Sequence, residues 1–290
     1  MSMKKRAAAF ALIFLLLSAG GAGAEEEIPS LPMDFSGGKK LQERFYTGKW
    51  SYEDPTISVV IETGREDNCD WWVADVKIQH PSQLRTASAG GFNTNMNIKG
   101  TALAKRVNAV LALDGDYYCY TGKGFILRQG ETFLKVLDGD RDVLLIDEDG
   151  DFHVVYQAQA DMVGETVEDK KVVNAFYFGP VLVDGGEAIR GVYGKDMAAE
   201  KKRQRMCIAQ VDKLHYKVVC CAAPARGSAG MTLQQFADFV ARQDVQVAYN
   251  LDGGDSTMLI FKNEKINDVR NQDTRLICDI LYFASAYEGE

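Results

Sequence analysis

Histidine is scarce in this chain, with three among 290 residues, and no Cys-x-x-Cys pair occurs. A zinc site of the usual ligand spacing is therefore not expected. No apolar run is long enough to span a bilayer. The longest, Ala7 to Leu17, falls short of the roughly 20 residues required. Positive charge is also in deficit, 33 Lys and Arg against 41 Asp and Glu, for a formal charge of −8. Nucleic-acid binding needs a basic footprint and is not expected. A few local arginines can still reverse the field inside a cleft, so an anionic small substrate stays open. No Gly-x-Ser-x-Gly surrounds Ser228, which removes a nucleophile elbow. Two acidic clusters, Asp138 to Asp142 and Asp147 to Asp151, fail the calcium-loop test because Val143 and Phe152 stand where the sixth position needs glycine. Both read as solvated hairpin turns. No cofactor is expected, with a divalent cation left open.

The N-terminus has the layout of a secretory signal. Lys4, Lys5 and Arg6 precede the apolar run, and Ala22-Gly23-Ala24 offers a small-residue cleavage site. The expected division is a signal peptide over 1–24, an irregular lead-in over 25–48 and one catalytic domain over 49–290. The mature chain is expected to be secreted or extracytoplasmic, with no stable membrane insertion and a charge of about −11. Export permits disulfides. Cys207 and Cys278 nevertheless sit in apolar runs, where small buried thiols are the simplest reading. The six cysteines are thus expected to be mostly free and buried.

Short β-rich segments dominate the rest. In the first half they are Thr56 to Ile61, Trp71 to Ile78, Asn108 to Leu113, Gly124 to Arg128, Val143 to Ile146 and Phe152 to Gln157. Further on come Ala175 to Phe178, Val181 to Val183, Met206 to Val211, Tyr216 to Cys221, Val247 to Asn250, Met258 to Phe261 and Leu276 to Phe283. Two helices are predicted. One follows Thr232, with Gln235 completing a capping box and Leu233, Phe236, Ala237 and Val240 forming an apolar stripe. The other, weaker one covers Gly100 to Arg106. Strands that do not alternate regularly with helices make this an α+β fold, a single domain of mixed, strongly β-rich sheets with a few flanking helices.

Three segments carry candidate chemistry. In Asn250-Leu251-Asp252-Gly253-Gly254-Asp255-Ser256 an apolar strand runs into two glycines flanked by carboxylates and then hydroxyls. Turn chemistry alone divides this about evenly between a hairpin and a substrate or cation cradle. In Ala109 to Tyr118 a strand ends in Asp114-Gly115-Asp116-Tyr117, aromatic faces beside acids that suit a sugar ring or an edge hairpin equally. In Phe178-Gly179-Pro180-Val181 the proline marks a bend between strands, with exposed backbone amides as the functional alternative. Arg205, Arg226 and Arg275 adjoin strands or turns, and their planar forks suit phosphate oxygens, although a lone arginine is more often solvated or paired.

In order, these segments resemble the phosphodiester glycosidase family, which includes the lysosomal uncovering enzyme and bacterial exopolysaccharide-related proteins. The resemblance runs from about Asp75 to Phe283. Its marks are His80-Pro81-Ser82-Gln83-Leu84-Arg85-Thr86, Asp114-Gly115-Asp116-Tyr117-Tyr118, Phe178 to Val183, Arg205, Ser228-Ala229-Gly230-Met231-Thr232-Leu233, Asn250 to Gly254, Asn267 and Arg275 to Ile280. It implies hydrolysis of a sugar-1-phosphodiester to a sugar and a phosphomonoester, with a glycan or sugar phosphate as partner. Asp252 would act as base or nucleophile with Asp116 or Asp255 as its partner. Arg205, Arg275 and Arg226 would hold phosphate, while Asn250, Gly253, Gly254, Ser256, Asp114, Tyr117 and Gly179 would complete the substrate contacts. The family usually carries asparagine where Asp114 stands and threonine where Met206 stands. Those departures motivate the alternative, a non-catalytic carbohydrate-binding relative in cell-envelope or exopolysaccharide metabolism.

Overall fold

The computed structural model describes residues 28–191, 198–223, 227–267 and 275–289, so the expected signal peptide lies outside the described residues. The strands are β1 (Ser51–Asp54), β2 (Ile57–Glu66), β3 (Cys69–Ile78), β4 (Leu84–Ser88), β5 (Ala109–Asp114) and β6 (Gly124–Arg128). There follow β7 (Glu131–Val136), β8 (Val143–Asp147), β9 (Phe152–Val155), β10 (Val172–Phe176), β11 (Val181–Asp184) and β12 (Glu187–Ala188). The chain ends through β13 (Arg205–Asp212), β14 (His215–Cys221), β15 (Val247–Asn250), β16 (Leu259–Phe261), β17 (Glu264–Lys265) and β18 (Asp279–Ala284). Four α-helices are interspersed among the described residues: α1 (Gly100–Arg106), α2 (Tyr118–Thr121), α3 (Ala160–Lys170) and α4 (Leu233–Ala241). None is long and apolar enough to cross a membrane.

The strands form three sheets. The first runs β1-β2-β3-β14-β13-β15-β11-β12, the second β7-β6-β10-β8-β9 and the third β17-β16-β5-β18-β4, with neighbours paired antiparallel. The fold is the expected α+β single domain. A two-residue hairpin joins β2 to β3 through Asp67 and Asn68, both left-handed at φ 49 and 61. Two positive-φ residues give the turn whose twist matches the flanking strands.

The period-two alternation of strands assigns each face of the first sheet to a different core. Ile208, Val218, Cys220 and Tyr249 face the central core, where they meet Leu113 and Leu281 of the third sheet and Leu144 and Phe176 of the second. Their neighbours Cys207, Ala209, Val219 and Ala248 face outward under Phe236, Ala237 and Val240 of α4. That helix starts as predicted: Thr232 Oγ1 accepts from Gln235 N at 3.2 Å, and Gln235 Oε1 accepts from Thr232 N at 3.0 Å. Leu103 and Ala104 of α1 cover the third sheet, and Val163 of α3 covers the second.

Two sequence expectations change. Cys278 is bonded to Cys119 rather than free, while Cys69, Cys207, Cys220 and Cys221 are buried thiols as expected. Asp147 to Asp151 does close a hairpin, with Asp147 Oδ1 accepting from the amides of Asp149 and Asp151, each at 2.9 Å. Asp138 to Asp142 does not, because β7 and β8 are not neighbours. There the Asp142 carboxylate instead takes the amides of Gln157 and Val181, each at 3.0 Å.

Candidate active site

Each of the three singled-out segments crosses between sheets. The loop after Asn250 leaves the first sheet and enters the third at β16, the loop after Asp114 leaves the third and enters the second at β6, and Tyr177 to Pro180 leaves the second and enters the first at β11. Neither Asp-Gly pair is therefore a hairpin. The crossovers meet at one place. Asp252 N donates to Gly115 O at 3.2 Å, Asn250 N to Pro180 O at 3.0 Å, and Asn250 Nδ2 to Gly179 O at 2.7 Å. Gly115 has to be glycine, since a Cβ there would sit 2.1 Å from Asp279 Oδ1.

Two amides leading into the bend are held within the protein. Phe178 N donates to Tyr249 Oη at 2.9 Å, and Tyr177 N donates to Asp116 Oδ2 at 2.9 Å. The Gly179 carbonyl accepts from Asn250 Nδ2. Gly179 precedes a cis peptide to Pro180.

A cavity of about 170 Å³ opens at this junction, walled by Phe178, Arg203, Arg205, Asn250, Asp252 and the Gly253-Gly254 backbone. Asp252 is only partly exposed, and Gly253 N donates to its Oδ1 at 2.8 Å. Burial raises its carboxyl to about 6, against the Ser256 hydroxyl and the Arg275 guanidinium, which favour the charged form. Asp255 is part-exposed on the adjoining turn, where its carbonyl accepts from Arg275 N at 3.0 Å. Ser256 is fully buried on the same turn.

Behind Asp252 lie three more carboxylates. Asp114, without exposed surface, accepts from Met258 N at 2.8 Å. Burial first, and the charge of Asp252 second, push its carboxyl well above the ordinary range. Asp116 and Asp279 share one cation, Arg128, at 3.0 and 3.4 Å. Burial also raises Asp279, with the charge of Asp116 adding to it and Arg128 opposing. The guanidinium of Arg128 is capped by Phe176, 4.2 Å to the ring centroid, and by Phe92 at 5.5 Å. No cluster of metal-ligating side chains is present among the described residues.

The proposed arginines separate. Arg205 lines the cavity, but its Nη2 donates to Ala198 O and Lys201 O at 3.0 and 2.9 Å, and burial lowers its pKa to about 10. Arg275 is exposed and lies over Tyr117 and Tyr120 at 5.3 and 5.9 Å, the two rings stacked 4.5 Å apart. Arg226 falls outside the described residues. Sequence reasoning missed Arg128 and gave Asp279 no role. Their signal was a charged residue at the end of the buried run Gly124 to Leu127, and another opening the buried run that starts at Ile280.

The sequence model of a family described as phosphodiester glycosidase matches residues 107–284, which include both loops, Asp279 and Arg128. Among solved structures, the zebrafish N-acetylglucosamine-1-phosphodiester alpha-N-acetylglucosaminidase catalytic domain auto-inhibited by pro-peptide is similar, with a TM-score of 0.64 and 18% identity over 80% of this chain and 85% of that one. A hypothetical protein from Synechocystis gives a TM-score of 0.52 at 13% identity over 78% of this chain and 62% of its own. At such identities the likeness is one of fold. No curated protein matches.

Proposed function

This chain belongs to the phosphodiester glycosidase family, and from that premise we propose that it is an exported hydrolase cleaving the glycosidic bond of a sugar-1-phosphodiester to a free sugar and a phosphomonoester. The observation that carries the reading is Asp252, a carboxylate on a cavity wall whose pKa burial raises to about 6. A group so poised is populated as a base at working pH and still basic enough to act. It serves as base or nucleophile at the anomeric carbon. The leaving phosphate is weakly basic already, so the chemistry needs charge stabilisation more than proton donation. Arg275, beside the Tyr117 and Tyr120 stack, supplies positive potential at the site. Asp255 is the partner with access to solvent, while Asp116 is held behind by Arg128 and acts by fixing Tyr177 N and the crossover around it. Asn250 and the Gly253-Gly254 backbone shape the cavity wall against which a sugar packs.

The test is a panel of sugar-1-phosphodiesters incubated with the mature protein, with released sugar followed by proton NMR. The name of the zebrafish relative makes N-acetylglucosamine-1-phosphodiesters the first to try. The reading fails if no member is turned over by a protein that is folded by its melting transition. One observation favours a second reading, carbohydrate binding without turnover: the Nη2 of Arg205 is committed to backbone carbonyls rather than directed at a ligand. Calorimetry against cell-wall and capsule fragments separates the two, since tight binding with no released sugar supports only the second.

A further inference from the structure

A second cavity, of about 560 Å³, shares no lining residue with the catalytic one. It lies between β4 and β7, edge strands of the third and second sheets, and is walled by Phe35, Phe92 and Phe133 with small or aliphatic side chains between them. The three rings form a triangle with centroids 5.4, 5.6 and 5.9 Å apart. Phe92 is buried, whereas Phe35 is 44% exposed. The backbone holds Phe35 there, because the carbonyls on either side of it, Asp34 O and Ser36 O, accept from Nη2 of the buried Arg85 at 2.7 and 3.0 Å. An aromatic ring exposed on a fixed backbone can leave water for a ligand at little cost in ordering. Two charged side chains also line the cavity. Arg106, which closes α1, donates from Nη1 to Ala89 O at 3.1 Å and from Nη2 to Ser88 O. Its guanidinium is thus fixed, with Nε and a second hydrogen on each Nη left for a ligand. Glu131 is exposed at the start of β7, and no hydrogen bond or ion pair holds its carboxylate among the described residues. The fixed group sets the charge of the ligand: a rigid donor fork binds a carboxylate without being ordered first, while a loose carboxylate stays in water.

We propose that this cavity binds an amphipathic monoanion, a free carboxylate with an apolar chain or ring as its body. The body packs on Phe35, Phe92 and Phe133, and the carboxylate takes the remaining hydrogens of Arg106. The volume falls within the range of about 300–1,000 Å³ found for small-molecule sites. Ser88 is the one uncharged polar side chain in the lining, and its Oγ accepts from Gly91 N at 2.6 Å, so the hydroxyls of a sugar would find few partners. The site rests on neither the family nor the proposed hydrolysis.

Decanoate, kept below its micelle concentration, is titrated into the intact mature chain in a calorimeter, with decyltrimethylammonium as the cation of equal chain length. Decanoate binds at a single site, and the cation does not compete for it. Phe35→Ala and Arg106→Gln each weaken binding about tenfold, the first by losing an apolar contact and the second a charge-assisted hydrogen bond. Glu131→Gln tightens it, because a like charge leaves the cavity wall. Melting temperatures establish that each variant is folded. The proposal is overturned if decanoate does not bind, if the cation binds as tightly, or if folded Phe35→Ala or Arg106→Gln binds decanoate as the parent does. Weaker binding by Glu131→Gln overturns it too. So does a dimer in sedimentation that Phe35→Ala dissociates, which would give the cavity to a second copy of the chain.

Discussion

Replacing Arg128 with methionine keeps most of its volume and removes the one guanidinium shared by Asp116 and Asp279. The side chains of all three are at most 2% exposed, so water cannot take over the missing contact. Breaking one side of a buried ion pair costs about 3–5 kcal/mol, because the remaining charge stays desolvated. For a domain of this size that corresponds to a fall in melting temperature on the order of 10 °C. The loss depends on pH. Without Arg128 the two carboxylates lie together, and at neutral pH the folded state must bind protons that the unfolded state has shed. Protons bound in excess by the folded state make stability decrease as pH rises. The deficit relative to the parent protein therefore widens from about pH 4 to pH 7 and narrows again in acid. Adding Asp116→Asn to the methionine variant removes one of the stranded charges and recovers part of the loss. Urea unfolding across this pH range is the assay. A deficit under about 1 kcal/mol at pH 7, or one flat with pH, refutes the reasoning.

Turnover should report the ionisation of Asp252: kcat/KM rises with pH through about 6 as the carboxylate forms, and Arg275→Gln moves that rise to higher pH by removing a cation that favours the charged state. A pH–rate profile of the two proteins decides it. Asp252→Asn should gain stability, since a carboxyl held at about 6 instead of 3.8 burdens the folded state above that pH and not below 3.8. Discounted for partial exposure, the gain at pH 7 is about 1–2 kcal/mol by urea unfolding. Gly115→Ala drives a methyl against Asp279 Oδ1. It should cost about 1–3 kcal/mol and lower turnover as well, measured by melting and by released sugar.

Local patterns carried much of the fold. The strands Gly124–Arg128 and Val247–Asn250 and the helix Gly100–Arg106 have the boundaries that their residue runs predict, and the capping box of α4 forms from Thr232 and Gln235. Helix α3 was illegible because only Val163 is buried along it, leaving no apolar stripe to read. Strand β7 has no buried residue at all. Within the site, Asp252, Asn250 and the two glycines were legible as a chemical cluster. Whether Asp-Gly made a hairpin was not, since turn chemistry is local and the sheet joined by the next strand is not. Arg128 was hidden for the same reason: its partner Asp279 lies 151 residues away. The bridge from Cys119 to Cys278, 159 residues apart, likewise joins segments that only the folded third sheet brings together.

The most direct test of the account compares the parent protein with Asp252→Asn on the sugar-1-phosphodiester it cleaves fastest, reading released sugar by proton NMR and folding by melting temperature in the same preparations. The account predicts turnover reduced at least about a hundredfold with a melting temperature equal or higher. A variant that stays folded and retains turnover within a few-fold of the parent would contradict it.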